Sequence, residues 1–80
     1  MMFGSGRILE DELVLPGTRV KVADGSHLDG ELATVKKADD RGMVWVHYDR
    51  TGEMAKKPGD RYGEMLADSW IPKTKLRRLR

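Results

Sequence analysis

From residue 18 onward the polar and apolar positions alternate with a period of two. Val20 and Val22 alternate with Arg19 and Lys21, Ala33 and Val35 with Thr34 and Lys36, and Val44 and Val46 with Trp45 and His47. That period places one row of side chains on a buried face and the other on an open face of a strand. It predicts strands over residues 18–22, 31–38 and 43–48. Ala23-Asp24-Gly25-Ser26 supplies the first turn, extended by residues 27–30, and Asp39-Asp40-Arg41-Gly42 supplies a hairpin turn. Residues 49–61 are polar, with two glycines and a proline, and predict a long loop. A fourth strand is predicted over 62–71, ended by Pro72, then a tight 3-10 turn over 73–75 and a short closing strand over 76–79. Ahead of these, residues 1–16 form an arm with Ile8, Leu9, Leu13, Val14 and Leu15, ended by Pro16-Gly17. Five short strands without a long helix predict an all-β fold, a small closed or half-closed barrel, because closure removes exposed strand edges. The domain then spans 17–80.

The alternation also sorts the polar residues. With Val44 and Val46 inside, Trp45 and His47 point outward, and so do Arg19, Lys21, Thr34 and Lys36. Aromatic rings among cations are what single-stranded nucleic acid needs, the rings for bases and the cations for phosphates. The competing expectation is that Ile8, Leu9, Leu13 and Leu15 of the arm cover Trp45 and make a second small core. Trp70 is expected to pack near the end of the barrel. The long loop adds Arg50, Lys56, Lys57 and Arg61, with Tyr62 beside them, as candidate phosphate contacts.

Charge strengthens this picture. Residues 1–40 hold five Lys/Arg against eight Asp/Glu, whereas residues 41–80 hold ten against five. The last eight residues contain Lys73, Lys75, Arg77, Arg78 and Arg80 and no acid. A basic end of this kind suits a polyanion. The 80-residue chain contains no cysteine, asparagine or glutamine. Disulfides, thiolate nucleophiles and the Asn/Gln contacts that read adenine are thereby excluded, leaving only Arg or Lys toward guanine. His27 and His47 stand on different elements without a metal-binding spacing, and no serine lies in a nucleophile motif. The chain is expected to be non-enzymatic and to need neither cofactor nor metal. No apolar run reaches the roughly 20 residues of a membrane span, and residues 1–6 lack an apolar leader. A cytoplasmic protein without membrane attachment, monomeric or weakly homo-oligomeric, is the expectation.

Two stretches resemble known families. Gly17-Thr18-Arg19-Val20-Lys21-Val22-Ala23-Asp24-Gly25, with Gly30 and Ala33-Thr34-Val35 following, resembles the KOW motif of ribosomal proteins and NusG-kind elongation factors, with Ala33 standing where that motif usually has glycine. Val46-His47-Tyr48 and Asp68-Ser69-Trp70-Ile71-Pro72, followed by Lys75-Leu76-Arg77, is similar to Tudor and chromo-barrel domains. Both resemblances imply an SH3-like barrel. The first implies an RNA or protein surface, the second an aromatic cage for methylated lysine drawn from Phe3, Trp45, Tyr48, Tyr62 and Trp70. Ala67 occupies the position where chromo-barrels usually have a tryptophan, so methylation-dependent binding is not expected.

The sequence therefore predicts a small module that binds RNA or DNA through phosphates with little sequence preference. The alternative is a protein–protein adaptor. The candidate contacts are Arg19, Lys21, Lys36, Trp45, His47, Arg50, Lys56, Lys57, Arg61, Tyr62, Arg77 and Arg78.

Overall fold

A computed structural model describes residues 6–9, 11–56 and 59–79. It is all-β, and no α-helix occurs among those residues. The strands are β1 (Arg19–Val22), β2 (Leu32–Ala38), β3 (Met43–Tyr48), β4 (Met54–Ala55), β5 (Glu64–Met65), β6 (Ser69–Pro72) and β7 (Leu76–Arg78), with a 3-10 turn at Lys73–Lys75 between the last two. Five of them form one antiparallel sheet in the order β6-β3-β2-β1-β7, and β4 pairs with β5 alone.

The predicted alternation holds on the first three strands. Val20, Val22, Ala33, Val35, Val44, Val46 and Tyr48 are buried, joined by Ile71 and Leu76 from β6 and β7. The β2–β3 hairpin is set by its turn chemistry. One oxygen of the Asp39 carboxylate accepts from the Arg41 and Met43 amides at 2.8 and 2.9 Å. Gly42 then takes φ +86°, a left-handed angle that glycine adopts without steric cost.

One irregularity changes the outer face. Val35 lies opposite Val46 and Lys37 opposite Trp45, so Lys36 is the extra residue of a β-bulge. Strict alternation would have put Lys36 opposite Trp45. The bulge puts Lys37 there.

The second half differs from the predicted single strand over 62–71. That segment is two strands, β5 and β6, parted where Leu66 turns into the core. The Leu66 amide donates to the Glu53 carbonyl, and its carbonyl accepts from the Gly52 amide, both at 2.8 Å. The predicted loop over 49–61 contains β4, whose Met54 and Ala55 face Met65 and Glu64. Burial of Ala55 and Leu66 gives this hairpin its apolar anchor. Gly63 is required there, because a Cβ would stand 2.4 Å from the Ala55 carbonyl oxygen.

The arm belongs to the same core. Ile8 and Val14 are buried with the sheet residues. The Ile8 amide donates to Leu76 at 3.0 Å, and the Arg78 amide donates to Gly6 at 3.1 Å. The Glu12 carboxylate accepts from Arg78, and the Glu12 carbonyl accepts from Lys73. Leu9, Leu13 and Leu15 stay exposed, so the arm lies along β7 and fills the core instead of covering Trp45.

Candidate nucleic-acid interface

The outer face of the sheet is ordered by the strand register. Arg19 faces Thr34, Thr34 faces His47, and His47 bonds Asp68, making one row across β1, β2, β3 and the start of β6. A second row runs Lys37, Trp45, Trp70. Lys21 faces Leu32 on one side and Arg77 on the other, extending the face toward β7.

The second row holds the aromatic centre. The Trp45 and Trp70 rings lie 5.5 Å apart, tilted at 60°. Lys37 Nζ sits 5.9 Å from the first ring centroid and 5.6 Å from the second, within cation–π range. Trp45 is half-buried, whereas Trp70 remains 42% exposed. Trp70 was expected to serve the barrel's end. It packs on the open face instead, because its neighbour Ile71 takes the inward position.

The first row is an ion-pair row. Arg19 donates to both Asp49 oxygens, at 2.7 and 2.6 Å, and to Thr34 Oγ1 at 2.8 Å. The Arg19 hydrogen bonds hold the Asp49 carboxyl below the usual carboxylate range, and the same contact raises the Arg19 pKa further. His47 Nδ1 donates to Asp68 Oδ1 at 2.7 Å. Both members of that pair are accessible, at 47% and 37%.

The candidate residues thus fall into separate groups. Lys21 and Arg77 are exposed, with no ion pair among the described residues, and they share the outer face with Trp45 and His47, while Lys36 is exposed at the bulge, also without an ion pair among those residues. Arg19 is on that face with its charge already matched. Arg50 is matched as well, donating to Glu31 at 2.9 Å, to Glu53 at 3.2 Å and to the Met54 carbonyl at 3.1 Å, which ties β4 to the β1–β2 loop. Arg78 is held by Glu12. Lys56 is exposed in a cleft beside Ser26, His27 and Asp29, and Arg61 is exposed further along the same hairpin. Lys57 lies outside the described residues.

The rings of the cage that the Tudor resemblance implies do not gather among the described residues, and Phe3 lies outside them. Tyr48 is in the core, Tyr62 is 81% exposed ahead of β5, and Trp45–Trp70 is the one ring pair among the described residues. Among the described residues the Tyr48 hydroxyl is the one buried side-chain polar atom without a hydrogen-bond partner. Loss of water pushes its pKa up, against an opposing pull from Ser69. No group of three or more acidic, histidine or cysteine side chains arranged to hold a metal occurs among the described residues. No helix among them is long and apolar enough to cross a membrane.

Sequence reasoning missed Lys37 and Asp68 as parts of this face. The signal for Asp68 was present, because Ile71 pointing inward implies Trp70 and Asp68 pointing outward. For Lys37 no local signal exists, since either lysine of the pair can leave the ladder. Comparisons with family models, with curated proteins and with solved structures found no match to this chain.

Proposed function

We propose that this chain is a small SH3-like barrel that binds single-stranded nucleic acid on the outer face of its sheet and catalyses no reaction. The strand order β6-β3-β2-β1-β7, with a 3-10 turn leading into the last strand, supports the barrel. The observation that carries the function is the Trp45–Trp70 pair, half open to solvent, with Lys37 against both rings, Lys21 and Arg77 on the same face without an ion pair among the described residues, and Lys36 exposed at the adjoining bulge. Bases stack on the open indole, and phosphates meet the unmatched cations. Arg19, Arg50 and Arg78 serve the fold in this reading, because their charges are spent on Asp49, Glu31 and Glu12.

The test is fluorescence anisotropy with a labelled oligothymidylate of about ten nucleotides, begun at about 50 mM salt. With Lys21, Lys36, Lys37 and Arg77 each meeting a phosphate, log K should fall against log salt with a slope of roughly −3. Absence of binding at low salt overturns the proposal. A protein-adaptor reading is favoured by one separate feature, the exposed Met54, Met65 and Tyr62 on the β4–β5 hairpin. It predicts that changes at Met54 and Met65 abolish a complex that changes at Trp70 leave intact.

A further inference from the structure

We infer that the outer-face site prefers guanine among the bases, and that Asp68 is the residue that reads it. The inference rests on the single-strand reading above and extends it from phosphates to a base.

Four side chains form a square on the open face. Trp45 stands opposite Trp70, and two residues along each strand His47 meets Asp68. Residues two apart on one strand are about 6.6 Å apart and project from the same side. A base stacked on the open side of Trp70 therefore brings its edge within reach of the Asp68 carboxylate. The His47 bond at 2.7 Å uses one lone pair of Oδ1 and orients the group, whose side chain is 37% exposed, so Oδ2 and the second lone pair of Oδ1 can accept from a base.

A carboxylate accepts and never donates. Guanine presents two adjacent donors on its Watson–Crick edge, N1–H and the N2 amino group, and meets a carboxylate with two parallel bonds. Adenine and cytosine each place a ring-nitrogen lone pair beside their single amino donor, which the carboxylate repels. Thymine and uracil offer one N–H between two carbonyls. The ring pair also carries a donor. Lys37 Nζ, 5.6 Å from the Trp70 centroid, is a donor suited to the guanine O6 and N7 acceptors. An acceptor and a donor thus both stand beside the stacking surface, the two kinds of partner that guanine's edges need.

The experiment compares a short labelled oligothymidylate with versions whose central thymine is replaced by guanine, hypoxanthine or adenine. Guanine should tighten binding roughly tenfold over thymine, in the range a bidentate base contact gives. Hypoxanthine, which lacks the N2 amino group, should fall between them, and adenine should gain little. Asp68→Asn keeps an oxygen for His47 but cannot accept from both guanine donors. It should erase the guanine preference, bringing the guanine and all-thymine affinities within about twofold of each other, because stacking and phosphate contacts serve both alike. Equal affinity for guanine and thymine sinks the guanine inference and leaves the nucleic-acid reading standing. A guanine preference that survives Asp68→Asn also sinks it. No binding of any oligonucleotide removes both readings together.

Discussion

Lys37 stands across from Trp45 because Lys36 is bulged out of the β2–β3 ladder, and its ammonium lies over both indoles of the outer face. A cation in that position contributes about 0.5–1 kcal/mol at an exposed site. It also leaves a positive charge beside the surface on which a base would stack. The bulge, a backbone feature, thereby sets the chemistry of the face.

Deleting one residue of the Lys36-Lys37 pair is expected to be tolerated. The remaining lysine would follow Val35 directly, precede Ala38 and face Trp45 in an unbroken ladder. The stability change should stay within about 1 kcal/mol, a shift of roughly 4–8 °C in Tm for a domain of this size. Thermal melting followed by circular dichroism checks this, and loss of a cooperative transition would contradict the register described.

Stacking and charge should separate in the salt dependence. Trp70→Ala is expected to weaken oligonucleotide binding by roughly 1–3 kcal/mol with the salt slope unchanged, because stacking releases no counterions. Lys21→Ala and Arg77→Ala should each flatten the slope by about 0.7 and weaken all sequences alike. Anisotropy titrations at several salt concentrations distinguish the two behaviours.

Acid stability should depend on Asp49. Its folded pKa is depressed, chiefly by the Arg19 hydrogen bonds, so its contribution is present above the unfolded carboxylate value and is lost as pH falls through the folded one. Asp49→Asn should make stability less dependent on pH between about 5 and 2. Asp39, depressed by the Met43 amide, and Asp24, where the Ser26 bonds outweigh the opposing effect of burial, act with the same sign. They should maintain part of the dependence in the variant. Urea unfolding across that pH range is the measurement, and an unchanged profile would show that the Arg19–Asp49 pair is immaterial.

The arm should be energetically part of the domain. Ile8→Ala removes a fully buried side chain and should cost about 2–4 kcal/mol. Leu13→Ala, at an exposed position of the same arm, should change stability by less than about 0.5 kcal/mol. Denaturant midpoints for the two variants give the comparison, and equal effects would mean that the arm does not dock as described.

Tyr48→Phe is expected to leave stability unchanged or raise it by up to about 1 kcal/mol. The hydroxyl it removes is buried without a partner, and such a group carries an uncompensated desolvation cost. A loss of stability on melting would reveal a hydrogen bond to Ser69.

Elements with a local cause were legible in the sequence. Val20/Val22, Ala33/Val35 and Val44/Val46 mark three strands because a pleated strand alternates its faces residue by residue, and Asp39 with Gly42 marks the hairpin because one caps the turn and the other takes its left-handed angle. The 3-10 turn and the last strand after Pro72 were legible for the same reason. Whatever depends on a partner distant in sequence emerged only on folding. Folding split residues 62–71 through the Leu66 contacts to Gly52 and Glu53, and it drew β4 out of the predicted loop by burying Ala55. It also decided which cations are free. Arg19 and Asp49 are 30 positions apart and Arg78 and Glu12 are 66 apart, so only the folded register shows that these charges are matched, whereas Lys21, Lys36 and Arg77 have no ion pair among the described residues. Register is a property of a strand pair, and for that reason the choice between Lys36 and Lys37, and the square of Trp45, Trp70, His47 and Asp68, became visible only after β2, β3 and β6 were paired.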